Sequence, residues 1–136
     1  MKYLYLDIDG VILTKKGNQS ANHLLDFLKF VTSNYNCYWL TTHCHGDVKM
    51  TVEYLKLRIS EETYPYLEKI KPTKWDLWKT EGIDFSKDFL WLDDYAFDGE
   101  KKILKEHQVL EKLVIVDLKS NPDQLLDFMK NKKLIA

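Results

Sequence analysis

The chain has little cysteine, no long apolar run and no excess of charge of either sign. Each absence closes off a class of protein. Two cysteines in 136 residues, Cys37 and Cys44, make no disulfide framework, and Cys37 falls in an expected strand, where a thiol packs as a small hydrophobe. No apolar stretch approaches the roughly 20 residues of a membrane-spanning helix. The formal net charge is −1, so there is no global basic footprint for nucleic acid. Lys15-Lys16 and the lysines between 130 and 133 are local clusters that a solvated face explains. Repeats, low-complexity tracts and linkers are missing too, and the first residues enter a strand with no signal-peptide pattern. These features lead us to expect one domain spanning 1–136, cytoplasmic and reduced.

What is present is an apolar content of 45%, enough for a core, and an alternation of strand and helix signals from end to end. That alternation predicts an α/β fold: a three-layer, Rossmann-like parallel sheet with helices on both faces. Strands are expected at 2–7, 37–40, 89–92 and 113–116, and a short one at 67–70. Residues 11–18 read as a hairpin with Gly17-Asn18 at its turn. Helices are expected over 20–33, where Leu24, Phe27, Leu28 and Val31 share a face, from Gly46-Asp47 onward, over 74–80, over 99–110, and from Asn121-Pro122-Asp123-Gln124, with Asn as N-cap and Gln at N3. Trp75 and Trp78 would share a face of the 74–80 helix.

The strand ends carry the chemistry. Tyr3-Leu4-Tyr5-Leu6 runs into Asp7-Ile8-Asp9-Gly10-Val11. The second strand ends at Thr41-Thr42, lysines stand at 71 and 74, and the third strand ends at Asp93-Asp94 with Asp98 beyond. Open α/β sheets bind ligands at the carboxyl edge of their strands. Acids placed together repel unless a cation lies between them, and hard oxygen donors suit Mg²⁺. A carboxylate can attack phosphorus, while a lysine and a hydroxyl hold phosphoryl oxygens. Taken alone, each piece has a bland reading: a turn, a helix cap, a strand end or a surface lysine.

Together, Asp7-Ile8-Asp9-Gly10-Val11, Trp39-Leu40-Thr41-Thr42, Lys74 and Trp91-Leu92-Asp93-Asp94 resemble the four motifs of the haloacid dehalogenase (HAD) superfamily of aspartyl-phosphate phosphatases. The resemblance covers residues 2–98 by motif. It implies Asp7 as nucleophile and Mg²⁺ ligand. Asp9 would be the general acid and base, with its backbone carbonyl on the metal. Thr41 would bind phosphate and Lys74 would neutralise charge. Asp94 would complete the metal site, with Asp93 in support, and Gly10, Thr42 and His43 would lie against the substrate. Thr41 and Thr42 compete for the second motif, with Thr41 preferred because it ends the strand. Lys71 and Lys74 compete for the third, with Lys74 preferred because it opens a helix. Asp98 is either a further acid of the last motif or a helix cap.

Neither gap between motifs is long enough for a cap domain, so the resemblance is to a capless member; residues 60–70 could form a small lid. Such relatives often act on phosphates carried by large molecules, or close the site through oligomers; for this chain a phosphorylated small molecule or macromolecule is expected as substrate, and no membrane partner. The Trp-Leu-Thr-Thr-His and Trp-Leu-Asp-Asp stretches are also similar to a HAD branch associated with RNA-repair proteins. That implies a polynucleotide-end phosphatase, an option that charge does not support. The rival class is a receiver-like phospho-signalling module, but receivers carry their acids, Thr and Lys in a different strand order. His43-Cys44-His45 is incomplete as a structural zinc site. Asp117, after the last strand, reads as structural.

Overall fold

The computed structural model describes residues 1–16, 18–44 and 46–135, with side chains through Lys132. The element order is β1 (Tyr3–Leu6), α1 (Leu24–Asn34), β2 (Asn36–Trp39), α2 (Val48–Lys56), α3 (Tyr64–Leu67), β3 (Phe89–Asp93), α4 (Asp98–Glu106), β4 (Leu113–Ile115) and α5 (Gln124–Ile135). Short 3₁₀ turns lie at Glu61–Thr63, Lys79–Gly82 and Leu110–Lys112.

All strand pairs are parallel, in the order β2-β1-β3-β4. Strand side chains alternate between faces. Leu4, Leu6, Leu90 and Leu92 join the larger core with Phe27 and Val31 of α1 and Leu125 and Phe128 of α5. Tyr5, Phe89 and Trp91 form a smaller core on the opposite face with Leu104 of α4. The architecture is therefore a three-layer, Rossmann-like α/β fold, and no cap domain is present among the described residues. No helix of the described residues is long and apolar enough to cross a membrane.

The strand order also sets the position of the site. From β1 the chain moves to β2 on one side, and it later returns to β3 on the other. The carboxyl ends of β1 and β3 thus flank a topological switch point, where an open sheet forms its crevice.

Several sequence expectations need correction. Helix α1 starts at Leu24 rather than near residue 20, because His23 takes φ 66° and bonds Asp123 at 2.9 Å. The hairpin is reduced to one antiparallel bridge, Leu13 to Ser20, and Gly17 lies outside the described residues. Residues 64–67 are helical. The predicted strand there is a single bridge from Lys71 to Tyr38, beside β2. Residues 60–70 form no lid over the site: Leu67 and Ile70 are buried in the larger core. No helix spans 74–80. Helix α5 begins only at Gln124, so Asn121 stands ahead of the N-cap position, and its amide donates to Asp127 at 2.9 Å. Gln124 instead ties α5 to the end of β4, accepting from the Asp117 N–H and donating to the Ile115 carbonyl.

Candidate active site

Asp7 is the first residue past β1, and its N–H still donates to Leu92 O at 3.1 Å. Asp93 is the last residue of β3. Their carboxylates are 7% and 1% exposed as residues. Lys79 meets both: its Nζ lies 2.7 Å from Asp93 and 3.4 Å from Asp7. Asp93 also accepts the Trp91 indole N–H at 3.2 Å and the Tyr95 N–H at 3.2 Å.

Burial pushes the Asp93 pKa up to about 8, the Asp7 charge adds to the rise, and Lys79 opposes it. For Lys79, burial works against the ammonium, but the two carboxylates outweigh it and raise its pKa. Two acids sharing one lysine thus hold Asp93 toward its protonated form, and a cation between the carboxylates would favour the ionised one.

One oxygen each from Asp7, Asp93 and Asp94 lie within 4.8 Å of one another. Three hard carboxylate donors at that separation fit a small divalent cation such as Mg²⁺. Gly10 makes room for the third: it has φ 87°, and a Cβ there would fall 2.6 Å from Asp94 Cβ. Asp94 pairs with Lys15 at 2.9 Å, and that contact raises the Lys15 pKa.

The Asp9 carboxylate stands outside this trio. His43 Nε2 approaches one of its oxygens at 2.9 Å, and the Tyr54 hydroxyl donates to the other at 3.4 Å. The His43 ring stacks on Tyr54 at 4.0 Å, and Arg58 covers that tyrosine at 3.8 Å. Thr51 donates to the His43 carbonyl at 2.7 Å. Asp9 is thus held by groups from α2 and the loop before it.

The structure brings Asp7, Asp93 and Asp94 together, with Gly10 behind Asp94 and His43 on Asp9. Thr41 is buried, and its hydroxyl accepts the His43 N–H at 3.3 Å. Thr42 is exposed and lines a cavity of about 360 Å³ with Lys79, Asp93 and Asp94. Exposed Leu77, Tyr95 and Phe97 form the rim of that cavity.

Neither anticipated lysine bonds an aspartate among the described residues. Lys74 is exposed and runs beside Gly46. Lys71 lies over the Tyr38 ring at 5.8 Å. The lysine at the aspartates is Lys79. Lys79 opens the turn Lys79–Gly82, five residues beyond the lysine expected to open a helix. Asp98 sits exposed in the first turn of α4 and outside the trio.

Glu100 went unnoticed in the sequence. This buried carboxylate accepts the N–H of Lys79 at 2.8 Å and of Phe97 at 2.9 Å, joining the lysine turn to the start of α4. Glu81 fastens the same loop through the N–H groups of Asp76, Leu77 and Trp78, which lower its pKa, Trp78 foremost. The spacing of Phe97 and Glu100, cap to N3, was the available signal.

Of the His43-Cys44-His45 run, His43 serves Asp9, Cys44 is buried with its Sγ 3.7 Å from the Thr73 carbonyl, and His45 lies outside the described residues. The Asp117 side chain accepts the Ser120 N–H at 3.1 Å.

No family model, curated protein or solved structure matches the chain.

Proposed function

We propose that the protein is a Mg²⁺-dependent phosphomonoester hydrolase that works through an aspartyl-phosphate, as the resemblance to capless HAD phosphatases implies. The observation that carries this reading is the Asp7–Lys79–Asp93–Asp94 cluster at the switch point of the sheet. Asp7, Asp93 and Asp94 would hold the cation, with Asp9 contributing its backbone carbonyl. When bound, the cation supplies charge that offsets repulsion between a carboxylate nucleophile and a phosphate.

An Asp7 carboxylate oxygen attacks phosphorus, and the bond from phosphorus to the leaving oxygen breaks. Asp9 gives its proton to that oxygen. It then takes a proton from water, whose oxygen attacks the aspartyl-phosphate, releasing phosphate and restoring Asp7. Lys79 holds Asp7 in line and offsets phosphoryl charge, and the Thr41-Thr42 strand end supplies a hydroxyl. The His43 and Tyr54 contacts hold the Asp9 carboxyl apart from the cation trio.

The test is phosphate release from a generic aryl phosphate with Mg²⁺ and with chelator. Turnover that needs the cation is expected; no turnover across aryl, sugar and nucleotide phosphates would end the proposal. The order of groups along the chain disfavours a receiver-like module, since the acid pair here closes the motif set.

A further inference from the structure

The cleft beside the carboxylate trio holds three lysines that the proposed hydrolysis does not use. A cavity of about 590 Å³ opens between the segment at 14–16 and the segment that follows β4. Gly10 and Asp94 form part of its wall, so it is continuous with the trio. Lys15, Lys16 and Lys119 line it, with Ile115 and Leu118 between them. Ile115 is 44% exposed, an apolar side chain left open on the edge strand.

Two acids also line the cleft, and both are engaged. Asp94 pairs with Lys15, and Asp117 is turned back onto the Ser120 N–H. Lys16 and Lys119 make no ion pair among the described residues. A cation on the trio would draw on Asp94 and leave Lys15 without its partner. Three ammonium groups would then face a cavity large enough for a pentose-sized body, beside an apolar wall.

We infer that this cleft is a subsite for a second phosphate, and that the preferred substrate is a phosphomonoester whose leaving group bears another phosphate. The inference rests on the phosphatase reading and narrows it. Lys15, Lys16 and Lys119 hold the second phosphate through charge-assisted hydrogen bonds, while Ile115 and Leu118 pack against the body between the two phosphates. The same chemistry occurs in a small bisphosphate and in a terminal phosphate that precedes a phosphodiester.

The experiment compares kcat/KM for adenosine 3′- and 5′-monophosphates, adenosine 3′,5′-bisphosphate and a 3′-phosphorylated dinucleotide, in the wild type and in the Lys16→Ala/Lys119→Ala double variant. A bisphosphate preference of about tenfold or more over the better monophosphate is expected, weakened by salt. It should fall several-fold in the double variant. Both lysines are exposed, so the variant should keep its circular dichroism spectrum and Tm. A dinucleotide preference above that for the bisphosphate would assign the second phosphate to a polynucleotide, and the reverse to a small molecule. Turnover of monophosphates with no preference, or a preference the double variant retains, would overturn the subsite and leave the phosphatase reading standing. No turnover of any ester would remove both.

Discussion

The two halves of the candidate site are built on opposite principles. Asp7 and Asp93 are embedded at the ends of adjacent central strands, with β1 and β3 paired from Tyr3–Phe89 to Leu6–Leu92, and Lys79 reaches them from the 3₁₀ turn Lys79–Gly82. Asp9, His43 and Tyr54 sit half-exposed at the edge of a loop and α2. Under the proposed mechanism, the difference matches what each half would do. A nucleophile and its counter-charges gain from low dielectric and fixed geometry, because fixed dipoles need no rearrangement during reaction. A group that gives a proton and takes one back must exchange it with solvent, which burial would prevent.

The largest effect should come from Asp7→Asn. It removes the nucleophile and, under this mechanism, lowers turnover of every phosphate ester by at least roughly 10³-fold. Turnover within tenfold of wild type would remove Asp7 from that role.

The open half should respond differently. Asp9→Asn should cost about 10²-fold on an alkyl phosphate and much less on an aryl phosphate whose leaving group needs no proton. Equal losses on both esters would break the contrast between the halves.

Lys79→Ala leaves two buried carboxylates without their cation. Without Mg²⁺ it should destabilise the fold by about 3 kcal/mol, read by chemical denaturation, with Mg²⁺ recovering part of the loss. Lys74→Ala, on an exposed side chain, should stay within about 0.5 kcal/mol. A Lys74→Ala loss as large as that of Lys79→Ala would reverse the assignment.

A further contrast concerns pH. Asp93 has its folded pKa raised from 3.8 to about 8, so folding favours its protonated form. That contribution is present below pH 4 and is lost as the pH rises toward 8. In chelator, the Tm of the wild type should therefore fall relative to Asp93→Asn between pH 4 and pH 8. At pH 8 the variant should melt higher than the wild type. Parallel Tm curves for the two proteins would show that Asp93 ionises normally.

Much of the frame was legible. The strand ending in Asp7 and the strand ending in Asp93 lie where the apolar runs placed them, because a buried parallel strand must be continuously apolar and its end is marked by the first acid. The face of α1 held as well, with Leu24, Phe27, Leu28 and Val31 all buried. Between residues 60 and 82 the signal failed. Short 3₁₀ turns and a four-residue helix have no period to read, so the loop's course was set by contacts distant in sequence: Glu100 on the Lys79 N–H, Thr73 on the Trp39 carbonyl at 2.5 Å, and Gly99 close against Trp78, where a Cβ would fall 2.7 Å from the ring. The partners of Asp9 were hidden for a similar reason. His43 and Tyr54 are separated by ten residues of loop and helix, and only the pitch of α2 brings their rings into a stack.

By itself the sequence determined which strands form, which acids end them and which helix faces turn inward, because those follow from local periodicity and from the cost of burying charge. The tertiary structure decided which lysine meets the aspartates and which groups hold Asp9. Those choices depend on the path of irregular chain between elements, and that path is fixed by long-range hydrogen bonds and packing that no local pattern encodes.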